Sequence, residues 1–364
     1  TDRSLLLSGD SPAGSTLRPF MAVRQFVERE VATWPAEGRT RLRTKVARKV
    51  TDWARERERE SRERLSFAAR VEARSQAPNL VAAALMALRV GQPGWVDPLV
   101  ACAAIDATPL DVPPMRSLLR EALEQLDQGT RARAEALATL LLLFSIAPDA
   151  GQVREVLDEL TAAHGPELRS LSVRGRICAV RALQDTVDTV QALNYLPDES
   201  EPMSTGERFA CLYARAGLVR RRMGGDAGLQ HYRDALKIAI ELGAPIHEAA
   251  TRAGIALCLN QKLQFEESIR EFDHAIEIGR RAGVEKLTHE LRSSRATPLL
   301  YAGRAQEALN EGHACIEYFR RQGMMSRVRL HSLALAHVMF VLDDVSGAEQ
   351  ALDEAIPAAK PLVS

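Results

Sequence analysis

Aromatic side chains are scarce in this chain, only 5% of 364 residues, although 46% of the residues are apolar. A core built chiefly from alanine and leucine points to helices packed on helices. Net charge is also missing: 48 basic residues balance 48 acidic ones, which removes any bulk electrostatic case for nucleic acid or an anionic membrane. The five cysteines, Cys102, Cys178, Cys211, Cys258 and Cys315, stand apart in no paired spacing, so neither a disulfide framework nor a zinc motif is legible. They read as buried thiols of a protein in a reducing, cytoplasmic setting. The longest apolar run, Ala136 to Ala147, is too short to span a bilayer and contains Thr139 and Ser145. No signal peptide is legible at the start. The first residue is Thr1 rather than Met, so the sequence reads as a piece of a larger protein.

What the chain does have is a repeat. Between Ala216 and Ala355 a pattern recurs every 40 residues without slippage. Ala216, Ala256, Ala296 and Ala336 share one register, and Val219, Leu259, Leu299 and Met339 a second. Gly228, Ser268, Ala308 and Ala348 form a third, and Ala235, Ala275, Cys315 and Ala355 a fourth. Small residues at a fixed period mark places where two helices approach closely. Gly243, Gly283 and Gly323 fall where helix ends need a left-handed residue. Periods of this size imply stacked helical hairpins, an architecture that commonly serves as a binding surface.

The rest is less regular. Residues 1–16 read as one short strand and a loop, with Thr16 placed to cap a helix running toward Val31. A charged helix is predicted from Arg39 to Arg74, with Leu42, Val46, Val50 and Trp53 on one face and alternating Arg and Glu beyond Arg55. Helices are then predicted over 78–90, 94–106, 114–127, 130–146, 150–163, 168–183 and 185–194, and the polar stretch 196–205 forms a soft boundary. The expected organisation is an N-terminal segment over 1–75, irregular helical repeats over 76–200 and four regular repeats over 206–358.

Within each regular unit the second helix carries a small residue, a large one four later and a small one three after that. Examples are Gly228, Tyr232 and Ala235, then Ser268, Phe272 and Ala275. This resembles the second helix of a tetratricopeptide repeat, and the recurring Ala216 register resembles the small position of that family's first helix. In the third unit Gly312 replaces the large residue, so a thinner core is expected there. The usual period is 34. A period of 40 resembles the variant in sensor regions of MalT-like bacterial regulators. The resemblance implies an all-α, right-handed solenoid that binds something. It leaves open a transcription regulator's sensor, the sensory front end of a nucleotide cyclase and a free-standing scaffold.

Candidate chemistry is thin. Gly9 to Thr16 has the glycine spacing of a phosphate-binding loop, but Ser15 stands where the lysine must be. The basic stretch Arg39, Arg41, Arg43, Lys45, Arg48 and Lys49 runs straight into Glu56, Glu58, Glu60 and Glu63 with no aromatic platform, and reads as a solvated face. No two of the eight histidines have the four-residue spacing of a helical metal pair. No catalytic residue, cofactor or metal site is therefore assigned.

The resemblance places the first helix of each unit on the concave face. Counted from the small alanine, residues one and four later and three earlier should then face a partner. The resulting groove set is Tyr213, Arg220, Leu257, Asn260, Ser293, Thr297, Leu300, His337 and Phe340. A largely apolar surface with one Arg and one Asn suits a protein or peptide partner, since Asn can both donate to and accept from a peptide backbone. Self-association through an uncapped last repeat is a further expectation.

Overall fold

A computed structural model of the chain describes residues 6–11, 14–19, 31–75, 80, 84, 112–124, 126–146, 150–183, 189–198 and 200–356. They fall into two compact units, Thr1–Cys211 and Leu212–Ser364. The division lies inside the first helix of the regular array. Apart from one hairpin, the described residues are helical. No helix among them is long and apolar enough to cross a membrane. The predicted helices over 78–90 and 94–106, and Cys102, lie almost wholly outside the described residues.

The first unit opens on β1 (Leu6–Ser11) and β2 (Gly14–Pro19), paired antiparallel with Gly9 opposite Thr16. Thr16 therefore lies in a strand and caps no helix. The strand–loop–helix context of a phosphate loop is absent, because the glycines belong to a β-hairpin. The predicted charged helix is two helices, α1 (Ala36–Glu63) and α2 (Phe67–Ser75), parted by Leu65 at φ 52°. Bending there buries Leu65 and Ala69 and lets Arg57 reach Glu72 at 3.0 Å. The buried face of α1 is also not the one expected. Ala47, Thr51, Ala54 and Ser61 form it, while Val46 is exposed, because small side chains permit the closest approach.

The remaining helices of this unit among the described residues are α3 (Val112–Leu123), α4 (Arg131–Ile146), α5 (Ala150–His164), α6 (Val173–Leu183) and α7 (Thr189–Tyr195). The apolar run of α4 is buried from Ala136 to Phe144, as a helix packed on several sides would be. Arg133 of α4 donates to the carbonyls of Leu123 and Leu126, which ends α3 earlier than expected, and Glu159 of α5 holds its guanidinium.

A half-buried polar network joins the helices. Arg174 donates to Glu135 at 2.6 Å and to Thr139 at 3.0 Å, with Glu58 3.7 Å away. Glu58 also holds Arg62, which reaches Glu207 at 2.7 Å. Glu207 in turn accepts from the backbone and hydroxyl of Ser204, a capping box at the start of the next helix. The polar stretch after α7 is tied down rather than loose, since buried Arg176 forms an ion pair with Glu201.

The array consists of α8 (Thr205–Met223), α9 (Gly225–Glu241), α10 (Pro245–Gln261), α11 (Phe265–Arg281), α12 (Glu285–Tyr301), α13 (Ala305–Arg321), α14 (Met325–Val341) and α15 (Val345–Ala355). Every helix starts 20 residues after the one before. Six joints are alike. The amides of Ala244, Gln264, Val284, Arg304, Met324 and Asp344 each bond the carbonyl five residues earlier, at 2.9–3.0 Å. That bond requires a left-handed residue just before the amide, the Schellman arrangement. Gly243, Leu263, Gly283, Gly303, Gly323 and Asp343 occupy that place, with φ between 58° and 80°.

The cores between helices follow the registers read from the sequence. Ala216 packs with Tyr232, Ala256 with Phe272 and Ala296 with Ala308. The third unit is not thinner. A Cβ on Gly312 would lie 2.7 Å from the Leu335 side chain, so Leu335 of α14 has filled the space. A charge pair also repeats at the period, Arg252 with Glu271 and Arg292 with Glu311.

Leu263 is the one joint residue with neither the freedom of glycine nor the polar side chain of Asp343, and it is 73% exposed. Leu263→Gly is expected to stabilise the protein by about 1 kcal/mol, from relief of the left-handed strain. Asp343→Gly should gain less, because Asp tolerates this conformation. Denaturant unfolding of both variants checks the order.

Candidate functional site

The first helix of each unit carries three register positions assigned to a groove, and the structure treats them unequally. In the first unit Tyr213 is half-buried and meets the Tyr232 ring edge-on at 5.5 Å. Arg220 is also half-buried and hydrogen-bonds the Tyr232 hydroxyl, whose acidity burial suppresses. In the second, Leu257 packs against the cluster of Phe272 and Leu291, and Asn260 is half-buried with no donor to its Oδ1 among the described residues.

In the third unit Ser293 is 4% exposed and Leu300 is 7% exposed. Ser293 Oγ lies 2.9 Å from His331 Nδ1, and Leu300 packs with Val338. Neither can touch a partner. Thr297 is half-buried. Only His337 and Phe340 of the set are exposed, Phe340 by 65%.

The cause is the seam between successive first helices. Arg327 pairs with Glu290, His331 meets Ser293 and His337 meets Tyr301, all between α14 and α12. Across this seam α14 covers the facing side of α12. Within the described residues α14 has no such cover, so Leu330, Leu333, His337, Phe340 and Val341 form an open, largely apolar stripe. Their spacing of three and four puts them on one helix face.

The sequence reading missed the register one place further on. Arg221, Gln261, Tyr301 and Val341 are exposed in all four units. Tyr301 is half-exposed, stacks on Phe265 at 5.5 Å and hydrogen-bonds His337 at 3.2 Å, which makes an aromatic ridge leading to the open stripe. The signal was available: this register lies one residue beyond the crowded seam and is large or charged in every unit but the second.

Burial pushes the Cys258 thiol up to about 11 and the Cys315 thiol up to about 12. Cys178, Cys211, Cys258 and Cys315 are all buried. Among the described residues no three His, Cys, Asp or Glu side chains gather as metal ligands. The basic residues of the stretch from Arg39 to Lys49 are exposed except for partly covered Arg39, as a solvated face would be.

No family model and no curated protein matches this sequence. Solved structures do. BtubC from P. vanneervenii is 14% identical with a TM-score of 0.37, over 77% of this chain and 89% of that one. A Rap protein complexed with Competence and Sporulation Factor is 12% identical with a TM-score of 0.47, over 85% and 97%. A signal transduction ATPase with numerous domains and a tetratricopeptide repeat sensor, from Pyrococcus horikoshii, is 13% identical with a TM-score of 0.47. This chain is covered over 96% in that match and spans 56% of that protein.

His331 gives the array a measurable dependence on pH. It stacks on Phe319 at 5.1 Å, and burial lowers its pKa to about 4. The unfolded imidazole titrates near 6.5, so below that pH the unfolded chain takes a proton that the folded one refuses. Stability is full above pH 6.5 and falls toward pH 4 by roughly 2–3 kcal/mol from this group. Thermal unfolding of His331→Gln should show a flatter slope over that window. A slope equal to the parent's would contradict the assignment.

Proposed function

We propose that this chain is a non-catalytic helical-repeat module that binds a protein or peptide along the first helices of its array. The regulatory reading, as the sensory part of a larger bacterial signalling protein, rests on the 40-residue, long-helix units and their resemblance to regulator sensor regions. A transcription regulator and a nucleotide cyclase remain the two settings that such a sensor would serve.

One observation carries the binding reading. The stripe from Leu330 to Val341, with Tyr301 beside it, presents large exposed apolar side chains on one helix face among the described residues. Contiguous exposed apolar surface of this kind marks interaction sites. Burying a side chain such as Phe340 against a partner contributes about 1.5–3 kcal/mol. The buried thiols support the non-catalytic part of the reading.

The test is selection from a displayed library of random nine-residue peptides on the immobilised protein. Enriched peptides are expected to lose at least tenfold in affinity on Phe340→Asp, the equivalent of about 1.4 kcal/mol. Phe340 is exposed, so helicity and unfolding temperature should stay near the parent's. Failure to enrich any peptide, or binding indifferent to Phe340→Asp, would sink the proposal.

A further inference from the structure

The exposed register of the four first helices changes its chemistry in one direction. It runs from Arg221 through Gln261 and Tyr301 to Val341, from cation to carboxamide to phenol to aliphatic side chain. The residues just behind follow the same order, Arg220, Asn260, Leu300 and Phe340. Equivalent positions on successive, parallel first helices form a line across the array.

The ends of that line are oppositely charged. At the first end Asp226 is held by Lys262 at 2.5 Å, and exposed Arg221 and Arg222 join no ion pair among the described residues. At the other end Asp343 and Asp344 follow directly on the apolar stripe and are exposed. Midway stands exposed Gln261, whose carboxamide can both donate to and accept from a peptide backbone.

Building on the proposed function, we infer that the occupant is an extended linear peptide with carboxylates at one end and large apolar side chains at the other. The carboxylates lie at Arg221 and Arg222, the backbone crosses Gln261, and the apolar end covers Tyr301 and Phe340. Acidic groups are repelled from the second end by Asp343 and Asp344, which sets the polarity. Packed helices lie about 9 Å apart, so three steps make about 27 Å. An extended chain at about 3.3 Å per residue crosses that in roughly eight residues.

The probes are fluorescein-labelled nonapeptides with three Asp at one end and Leu, Phe and Leu at the other, made in both chain directions. Matching peptides carry Lys in place of Asp. Fluorescence anisotropy on the full chain should show one Asp peptide binding at least tenfold more tightly than its Lys counterpart. The double variant Arg221→Glu with Arg222→Glu should reverse that preference, and Arg221→Lys with Arg222→Lys should keep it, since both sites are screened contacts of charge. Circular dichroism confirms that each variant is folded.

Equal binding of Asp and Lys peptides, or a preference the reversal leaves unchanged, overturns the inference alone. So does failure of all these probes when library-selected peptides still bind through Phe340. If neither the probes nor any selected peptide binds, the proposed function falls as well.

Discussion

Every helix from α9 to α14 ends because one residue turns left-handed and lets the next amide reach back five residues to a carbonyl. That bond satisfies backbone groups that a helix end would otherwise expose, and it sets the angle at which the chain re-enters the next helix. Repeated every 20 residues, it leaves the packing little choice. Small residues such as Ala256 and Ser268 must then meet, and Ser268 Oγ donates to the Ala256 carbonyl at 2.8 Å inside that contact. The helix A to helix B charge pairs and the His331–Ser293 contact are built on the same spacing.

The first unit works differently. Its helices have no common period, and a connected set of charges does what repetition does in the array. Arg174 is mostly covered, and its cost of desolvation is offset by Glu135, Glu58 and the Thr139 hydroxyl. Glu207 is held below the usual carboxylate range against its own burial, by hydrogen bonds from Ser204 and the charge of Arg62. Such a network fixes one arrangement of helices where small apolar faces alone would permit several.

Much of this was legible in advance. Gly243, Gly283 and Gly323 showed three of the joints, and the alanine registers showed which faces meet. Leu263 and Asp343 hid two more joints, because neither residue type announces a left-handed backbone. The break at Leu65 was invisible for the same reason, and the Arg–Glu alternation on either side argued for one straight helix. Gly312 signalled a gap that Leu335, from the next helix, had already filled.

The candidate site divides along the same line. Period, helix direction and the chemistry of each register follow from local rules, since 3.6 residues per turn places every side chain on a known face. Whether that face is wet depends on how near the next helix lies, and no periodicity encodes that distance. Ser293 and Phe340 occupy equivalent faces, yet one is sealed in a seam and the other stands in water. The sequence alone determined a helical repeat with a small-residue seam and a place for each side chain on its helix. Only the tertiary structure decided which of those side chains remain free to meet a partner, because burial is a property of two surfaces and the sequence displays one at a time.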